Sequence, residues 1–352
     1  MTDINDLIKE ILALEISKAK NETELRASVD LVQALKATPF TIFKPIADLG
    51  YFGWEPEGPY KKLDTVTVAD ITASLSVDMK PPMIVPVKEL NSKLPQTFKS
   101  LPPRETINKY PHKVPHVASL HVAARHRGVD MSKVSFFFGG STLEMLATRK
   151  ISKDKDYLVA LIPGTDTIMI ASHKEYTSDK SAPGFQFERF STGKEFGDEH
   201  NHAELCHLQL MEVGGHLVLF SAEVDAMDSN NDPVEVTSGN PRYWGCSKVY
   251  QMISSGSLTM YAGTKYRDSL SRVGEYSLAD TASLGIFGID VAIHERNIKD
   301  AMASLLEELE GGAFEGGKKS LIISFDGRNI MLDPWKTESL FVPDSVIDKL
   351  LH

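Results

Sequence analysis

Glu223 and Asp225 stand two residues apart in Ala222-Glu223-Val224-Asp225-Ala226, each acid flanked by apolar residues. In a β-strand the side chains alternate between faces, so this spacing predicts both carboxylates on one face and Val224 in the layer behind. Further on, Val234-Glu235-Val236 again sets an acid between valines, and Asp228-Ser229-Asn230-Asn231-Asp232-Pro233 between the two runs is a dense turn signal. A hairpin closed by that turn brings Glu235 beside Asp225 across the ladder, so three carboxylates converge.

Like charges placed so close cost stability and raise carboxylate pKa values unless a cation sits among them. An all-oxygen donor set suits a hard divalent ion, Mg2+ or Mn2+. An ion held there can grip phosphate oxygens, lower the pKa of a bound water and steady a leaving group. The chemistry implied is phosphodiester or pyrophosphate hydrolysis.

The elements that must position these acids can be read in outline. Helices are expected over 3–20 and 23–36, then an irregular stretch punctuated by Pro and Gly that contains Tyr51-Phe52-Gly53-Trp54. A proline-rich connection from Pro81 to Pro103 leads to the helical pattern HVASLHVAARHRG, with Gly128 placed to end it. YLVALI and TIMIAS read as a hairpin around Pro163-Gly164-Thr165-Asp166. GFQFERFS carries aromatics at 185, 187 and 190 that fit either period, and helix is the preferred reading. A helix over Ser247 to Ile253, a strand LTMYAG, a helix over Glu295 to Glu310 ended by Gly311-Gly312, and a final hairpin turning on Asp326-Gly327 complete the chain. The sum is an α/β (α+β) fold with mixed central β-sheets flanked by helices, read as one large domain over 1–352, with N-terminal helices in 1–36 and the site core in 157–345.

Composition narrows the function classes. The 352 residues are 42% hydrophobic and 24% charged, ordinary globular values. A net charge of −10, from 38 basic and 48 acidic residues, argues against a protein that coats nucleic acid, and no DNA partner is expected. The basic stretch Arg104, Lys109, Lys113, Arg125 and Arg127 is the best phosphate-tracking candidate, with a merely solvated face as the plainer reading. No membrane span or secretory leader is expected, and two cysteines fit a reducing cytoplasm or nucleus.

LVLFSAEVDAMD followed by VEV resembles the paired Glu-Φ-Asp and Glu-Φ-Lys motifs (Φ apolar) of the DXO family of RNA 5′-end decapping exonucleases. Gly184-Phe185-Gln186-Phe187-Glu188 is similar to that family's Gly-aromatic-x-Phe-Glu motif, and FKPIADLGYFGW adds a weaker likeness within a span of about 40–345. The resemblance implies a fourth carboxylate, Glu188. Catalysis would then fall to Glu188, Glu223, Asp225 and Glu235, and the Mg2+ or Mn2+ to the same four with Val236. The substrate implied is an RNA 5′ end or nucleotide cap, and a protein partner fits a regulatory role.

The departures concern positive charge. Thr237 stands where the family motif ends in lysine, Phe138-Gly139-Gly140 where it has Trp-Arg-Gly, and Ser255 where a glutamine is expected, with Gln251 one turn earlier as a substitute. Charged hydrogen bonds to phosphate are worth about 1.5 to 3 kcal/mol each, so losing two costs about 10²- to 10⁴-fold in rate if both act in the transition state. Two readings follow, a slow or re-specialised 5′-end hydrolase and a non-catalytic binder of RNA ends. A scaffold that keeps only the fold is a third.

Other signals are weaker. Gly312 to Lys318 resembles a phosphate loop but continues with Lys319 and a strand pattern, and His200, His202, Cys206 and His207 match no standard zinc spacing. Tyr51, Phe52 and Trp54 could stack on a base, although burial is the commoner fate of such aromatics.

Overall fold

The computed structural model describes residues 31–54, 65–77, 79–98, 114–151, 156–173, 183–194, 204–239, 244–267, 269–285, 290–313, 321–327, 329–334 and 344–351. The expected helix at 3–20 lies outside these residues, and of 23–36 only 31–36 is described, as helix. The described strands are β1 (Phe43–Trp54), β2 (Leu75–Val77), β3 (Gln96–Thr97), β4 (Phe136–Phe138), β5 (Asp156–Leu161), β6 (Ile168–His173) and β7 (Glu204–Val213). They continue as β8 (His216–Glu223), β9 (Ala226–Met227), β10 (Pro233–Ser238), β11 (Thr259–Tyr266), β12 (Ser269–Ser277), β13 (Leu321–Asp326) and β14 (Asn329–Pro334).

Among the described residues they form a nine-stranded sheet, in the order β14-β13-β5-β6-β4-β8-β7-β1-β2, and a five-stranded sheet, in the order β3-β12-β11-β10-β9. Both are mixed. β4 runs parallel to β6 and β8, and β10 runs parallel to β11, while the other pairings are antiparallel. The fold is α/β.

β4 explains why the large sheet is covered on both faces. Phe136, Phe137 and Phe138 follow one another and are all buried, Phe136 and Phe138 on one side and Phe137 on the other. Three consecutive aromatics can all be buried only if helices cover each face of the sheet. One face packs against the helices Gly140–Thr148, Ser247–Ser255, Leu278–Gly285 and Val291–Glu310, the other against Val114–His121 and Asp344–Leu351. A third core joins the five-stranded sheet to the helix Pro183–Ser191 through Phe187, Phe190, Val234 and Val236.

Most expected elements form where the periodicity places them. The helix over 114–121 continues as a π-helical turn at Val122–His126, and Gly128 follows with φ +69°. The hairpins β5–β6 and β13–β14 are antiparallel as read, and Val291–Glu310 starts a turn earlier than expected, on Asp290, whose carboxylate accepts from the N–H groups of Ala292 and Ile293. One expectation fails. Tyr51 to Trp54 is no irregular stretch but the end of the twelve-residue β1, in which register shifts at Pro45/Ala47 and Asp48/Gly50 absorb the proline and the glycine. Phe52 and Trp54 are accordingly core residues, not base-stacking ones. Among the basic residues, Arg127 donates through Nε to the Leu49 carbonyl, whereas Arg104, Lys109 and Lys113 lie outside the described residues.

Gly140 sets the distance between the helices Gly140–Thr148 and Ser247–Ser255. A Cβ at this position would meet the Ser254 hydroxyl and stand 3.1 Å from both the Gln251 Cα and the Tyr250 carbonyl oxygen. Gly140→Ala should therefore force the helices apart at a cost of about 1 to 3 kcal/mol, lowering the denaturation midpoint without changing the denaturant dependence. An unchanged midpoint in urea would refute the close-approach account.

Candidate metal centre

The acids collect where the chain passes from one sheet to the other. β8 ends at Glu223, Val224 is buried with its N–H donated to the Leu205 carbonyl at 2.8 Å, and β9 opens the second sheet at Ala226. Glu223 and Asp225 are thus not two positions of one strand, as their spacing predicted. The strand stops near the start of its partner β7, whose Cys206 pairs with Glu223, and Asp225 lies in the crossover to the five-stranded sheet. From that position its Oδ2 accepts the Val236 N–H at 2.8 Å. The expected hairpin exists but is short: Pro233 pairs with Met227 and Val234 with Ala226, around a turn in which the Asp228 carboxylate accepts from the N–H groups of Asn230 and Asp232. The longer partner of β10 is the parallel β11.

Alternation along β10 decides what Glu235 faces. Val234 and Val236 point into the core beside Phe187 and Phe190, so Glu235, only 8% exposed, projects to the other side. There its Oε1 accepts from the Lys248 Nζ at 2.8 Å. Lys248 belongs to the helix Ser247–Ser255. Thr237 shares Glu235's face of the strand. Val236, expected among the ligands, has its side chain in the core, so only its main-chain carbonyl could serve a cation. Glu188 is carried by the helix Pro183–Ser191, which Phe187 and Phe190, three residues apart, fasten onto β10.

The charges register one another. Burial pushes the Glu188 carboxyl up to about 8, and the nearby Glu223 and Glu235 push the same way against Lys248. Asp225 is raised well above its ordinary value, by burial first and then by Glu188, Glu235 and Glu223, with the Val236 N–H opposing. Burial would lower the Lys248 ammonium, but Glu235 and, more weakly, Asp225 and Glu188 hold it above its usual range. All four carboxylates therefore lie within electrostatic reach. Among the described residues, however, no three His, Cys, Asp or Glu side chains are placed so as to hold one metal ion. In donor chemistry the set fits a hard divalent cation: Glu188, Asp225 and Glu235 are at least partly buried, Glu223 is exposed beside them, and burial first and the neighbouring acids second drive Glu188 and Asp225 towards protonation. Gln251, one turn on from Lys248, adds a buried Oε1 without a hydrogen-bond partner.

No family model matches the sequence, and no curated protein matches it. Solved structures do match. Rai1 of Scheffersomyces stipitis, in complex with (3'-NADP)+ and calcium, superposes with a TM-score of 0.60 at 14% identity, covering 89% of this chain and 96% of its own. K. lactis Dxo1 with manganese gives 0.56 at 12%, covering 87% and 93%, and Candida albicans Rai1 with pU5-Mn2+ gives 0.57 at 12%, covering 89% and 97%. The fold is that of Rai1 and Dxo1. At such identities the likeness is one of architecture, and it agrees with the motif resemblance read between residues 184 and 238.

Of the three departures from the DXO-family motifs, Thr237 shares the face of Glu235 as described, and the other two sit as follows. Gly139 precedes the helix Gly140–Thr148 with φ −111° and ψ −176°, a backbone open to arginine, but a Cβ would stand 3.0 Å from the Ser221 carbonyl oxygen. Crowding, not a left-handed backbone, is what restricts that position. Ser255 is buried, its hydroxyl bonded to Ser257 and its carbonyl to His207, so its polar groups are engaged in internal contacts. Lys248 is the charged residue that sequence reasoning missed. Its partner is on another element, and the only hint was a lysine in the first turn of a helix, the end at which the macrodipole disfavours a cation.

The helix bearing Lys248 is fixed from the Rai1-like sheet beneath it. Gln209 Nε2 donates to the Ser254 carbonyl at 3.0 Å, and His207 Nδ1 contacts the Ser255 carbonyl at 2.7 Å while its Nε2 contacts Asp48 Oδ1 at 2.7 Å. With a carbonyl on one ring nitrogen and a carboxylate on the other, both nitrogens donate, and the ring is an imidazolium. Burial would lower the His207 pKa, yet the charge and hydrogen bond of Asp48 raise it; burial would raise that of Asp48, yet His207 lowers it. Because Asp48 is lowered, its contribution is present above its unfolded pKa of about 3.9 and lost in more acid solution. Because His207 is raised, its contribution is complete below its unfolded value of about 6.5 and fades as pH rises through the folded one. Asp48→Asn should cost about 3 to 5 kcal/mol, with the largest deficit between about pH 4 and 6.5. Urea titrations at pH 5.5 and 9 check this, and a deficit that grows at pH 9 would contradict the ion pair.

Proposed function

We propose that this chain is a divalent-metal-dependent hydrolase of RNA 5′ ends, of the decapping or deNADding kind, acting on a nucleotide-capped or otherwise modified end. What supports the reading is the electrostatic proximity of Glu188, Glu223, Asp225 and Glu235 near the seam between two sheets, in a fold shared with Rai1 and Dxo1 structures that hold manganese, calcium and nucleotides. Mg2+ or Mn2+, when bound, would supply Lewis acidity and a water of lowered pKa.

The protein's part is placement. Phe187 and Phe190 lock the Glu188 helix to β10, the Val236 N–H orients Asp225, and strand alternation turns Glu235 towards the same space. Lys248 provides positive charge from a helix where the family motif would have it at position 237. No helix among the described residues is long and apolar enough to cross a membrane, and both cysteines are buried, neither in a disulfide, which suits a cytoplasmic or nuclear setting. The second reading, a regulatory binder of RNA ends, is favoured by one observation: Glu235 is already neutralised by Lys248.

The test is a panel of 5′-triphosphate, 5′-monophosphate, NAD-capped and methylguanosine-capped RNAs with Mg2+ or Mn2+, scored for product and for binding. The hydrolase reading expects product from at least one RNA and its loss in Asp225→Asn with Glu235→Gln, together with Mn2+ affinity weakened at least about 100-fold, since even outer-sphere changes cost 10- to 100-fold. Binding without product would establish the binder, and a double variant with unchanged Mn2+ affinity would remove the metal site.

A further inference from the structure

We propose that Lys248 is a resident counter-cation of the acidic seam, one that a divalent metal must displace from Glu235 in order to bind. The inference rests on the reading that this seam takes a divalent ion, and it adds a competition internal to the chain. The ammonium of Lys248 is 2.8 Å from Glu235 Oε1, with side-chain exposures of 21% and 10%, so the pair is largely shielded from water. Such a contact is stronger than a surface ion pair and is not replaced by solvent at no cost.

Three features make the ammonium a competitor and not a bystander. It is held by the carboxylate that strand alternation turns into the seam, so one Glu235 oxygen cannot serve Lys248 and a metal fully at once. The charge of the ammonium also acts on Asp225 and Glu188, the other acids of the group. Finally, Lys248 is the second residue of its helix, with no acid in that first turn, where the macrodipole repels a cation by about 0.3 to 1 kcal/mol. What offsets that repulsion is the acid cluster itself. With Lys248 on Glu235, the acids of the seam, Glu235 included, do not close on a single point among the described residues.

The consequence is that metal and ammonium exclude each other at Glu235. Freed from it, Lys248 swings on a flexible four-carbon stem and can offer its charge to phosphate. Exchange of one cation for another makes metal loading a coupled equilibrium, and couplings of this kind typically amount to 5- to 150-fold in affinity.

The experiment is Mn2+ binding by calorimetry and by electron paramagnetic resonance, on the full chain and without RNA, for wild type, Lys248→Met, Lys248→Gln and Lys248→Arg. Methionine keeps the length of the side chain, and glutamine serves if methionine impairs folding. Either neutral variant should bind Mn2+ about 10- to 100-fold more tightly than wild type, or bind it where wild type does not, while Lys248→Arg, which keeps the charge, should stay near wild type. Neutral variants with wild-type or weaker affinity would overturn the competition. Wild type binding as tightly as those variants would leave the metal reading standing, whereas no binding by any of the four would remove both.

Discussion

The structure turns on the crossing from β8 to β9, where one chain serves two sheets within three residues. β8 is held between β4 and β7 in a sheet buried on both faces, and β9 begins a sheet whose core lies against a different helix. The residues that make the crossing, Val224 and Asp225, divide the work: the valine is buried and donates its N–H to β7, and the aspartate accepts from β10. What projects from this seam is set by strands of two sheets, a helix packed on one of them and a two-residue crossover hydrogen-bonded to both sheets. A site needing its groups within fractions of an ångström is well placed there.

The acids at the seam are costly, and the surrounding structure meets that cost in layers. Phe187, Phe190, Val234 and Val236 hold Glu188 and Glu235 in place through apolar packing that is indifferent to charge. Lys248 supplies charge locally, and the carbonyl end of its helix is tied down by Gln209 and by the His207 imidazolium, itself paired with Asp48. The favourable interaction of a cation with a helix C-terminus thus works at one end of this helix, while its first turn carries a lysine that only the acids can justify.

Much of this was legible in the sequence, for physical reasons that also mark the boundary. Asp326-Gly327 between alternating apolar runs specified its hairpin because few turns accommodate such a pair, and the run 291–310 specified its helix through periodicity and the Asp290 cap. β1 was not legible, because Gly53 with Pro56, Gly58 and Pro59 read as punctuation of an irregular stretch, and the two register shifts that let the strand pass Pro45 and Gly50 depend on β7, far along the chain. The two-residue spacing of Glu223 and Asp225 suggested one strand and met a change of sheet instead. Yet both acids reach the same neighbourhood, since the crossover and the short β9–β10 hairpin bring Asp225 back to β10. Lys248 left only a faint local sign, a lysine in a helix's first turn, because a tertiary ion pair leaves no periodic trace.

The central claim, that the seam is a divalent-cation site built from acids of three separate segments, is tested most directly by anomalous diffraction from crystals soaked in Mn2+. The account predicts one strong peak bounded by the carboxylates of Glu188, Asp225 and Glu235, with the Lys248 ammonium moved off Glu235. Mn2+ bound elsewhere, with the Lys248–Glu235 pair intact and no peak at the seam, would contradict it.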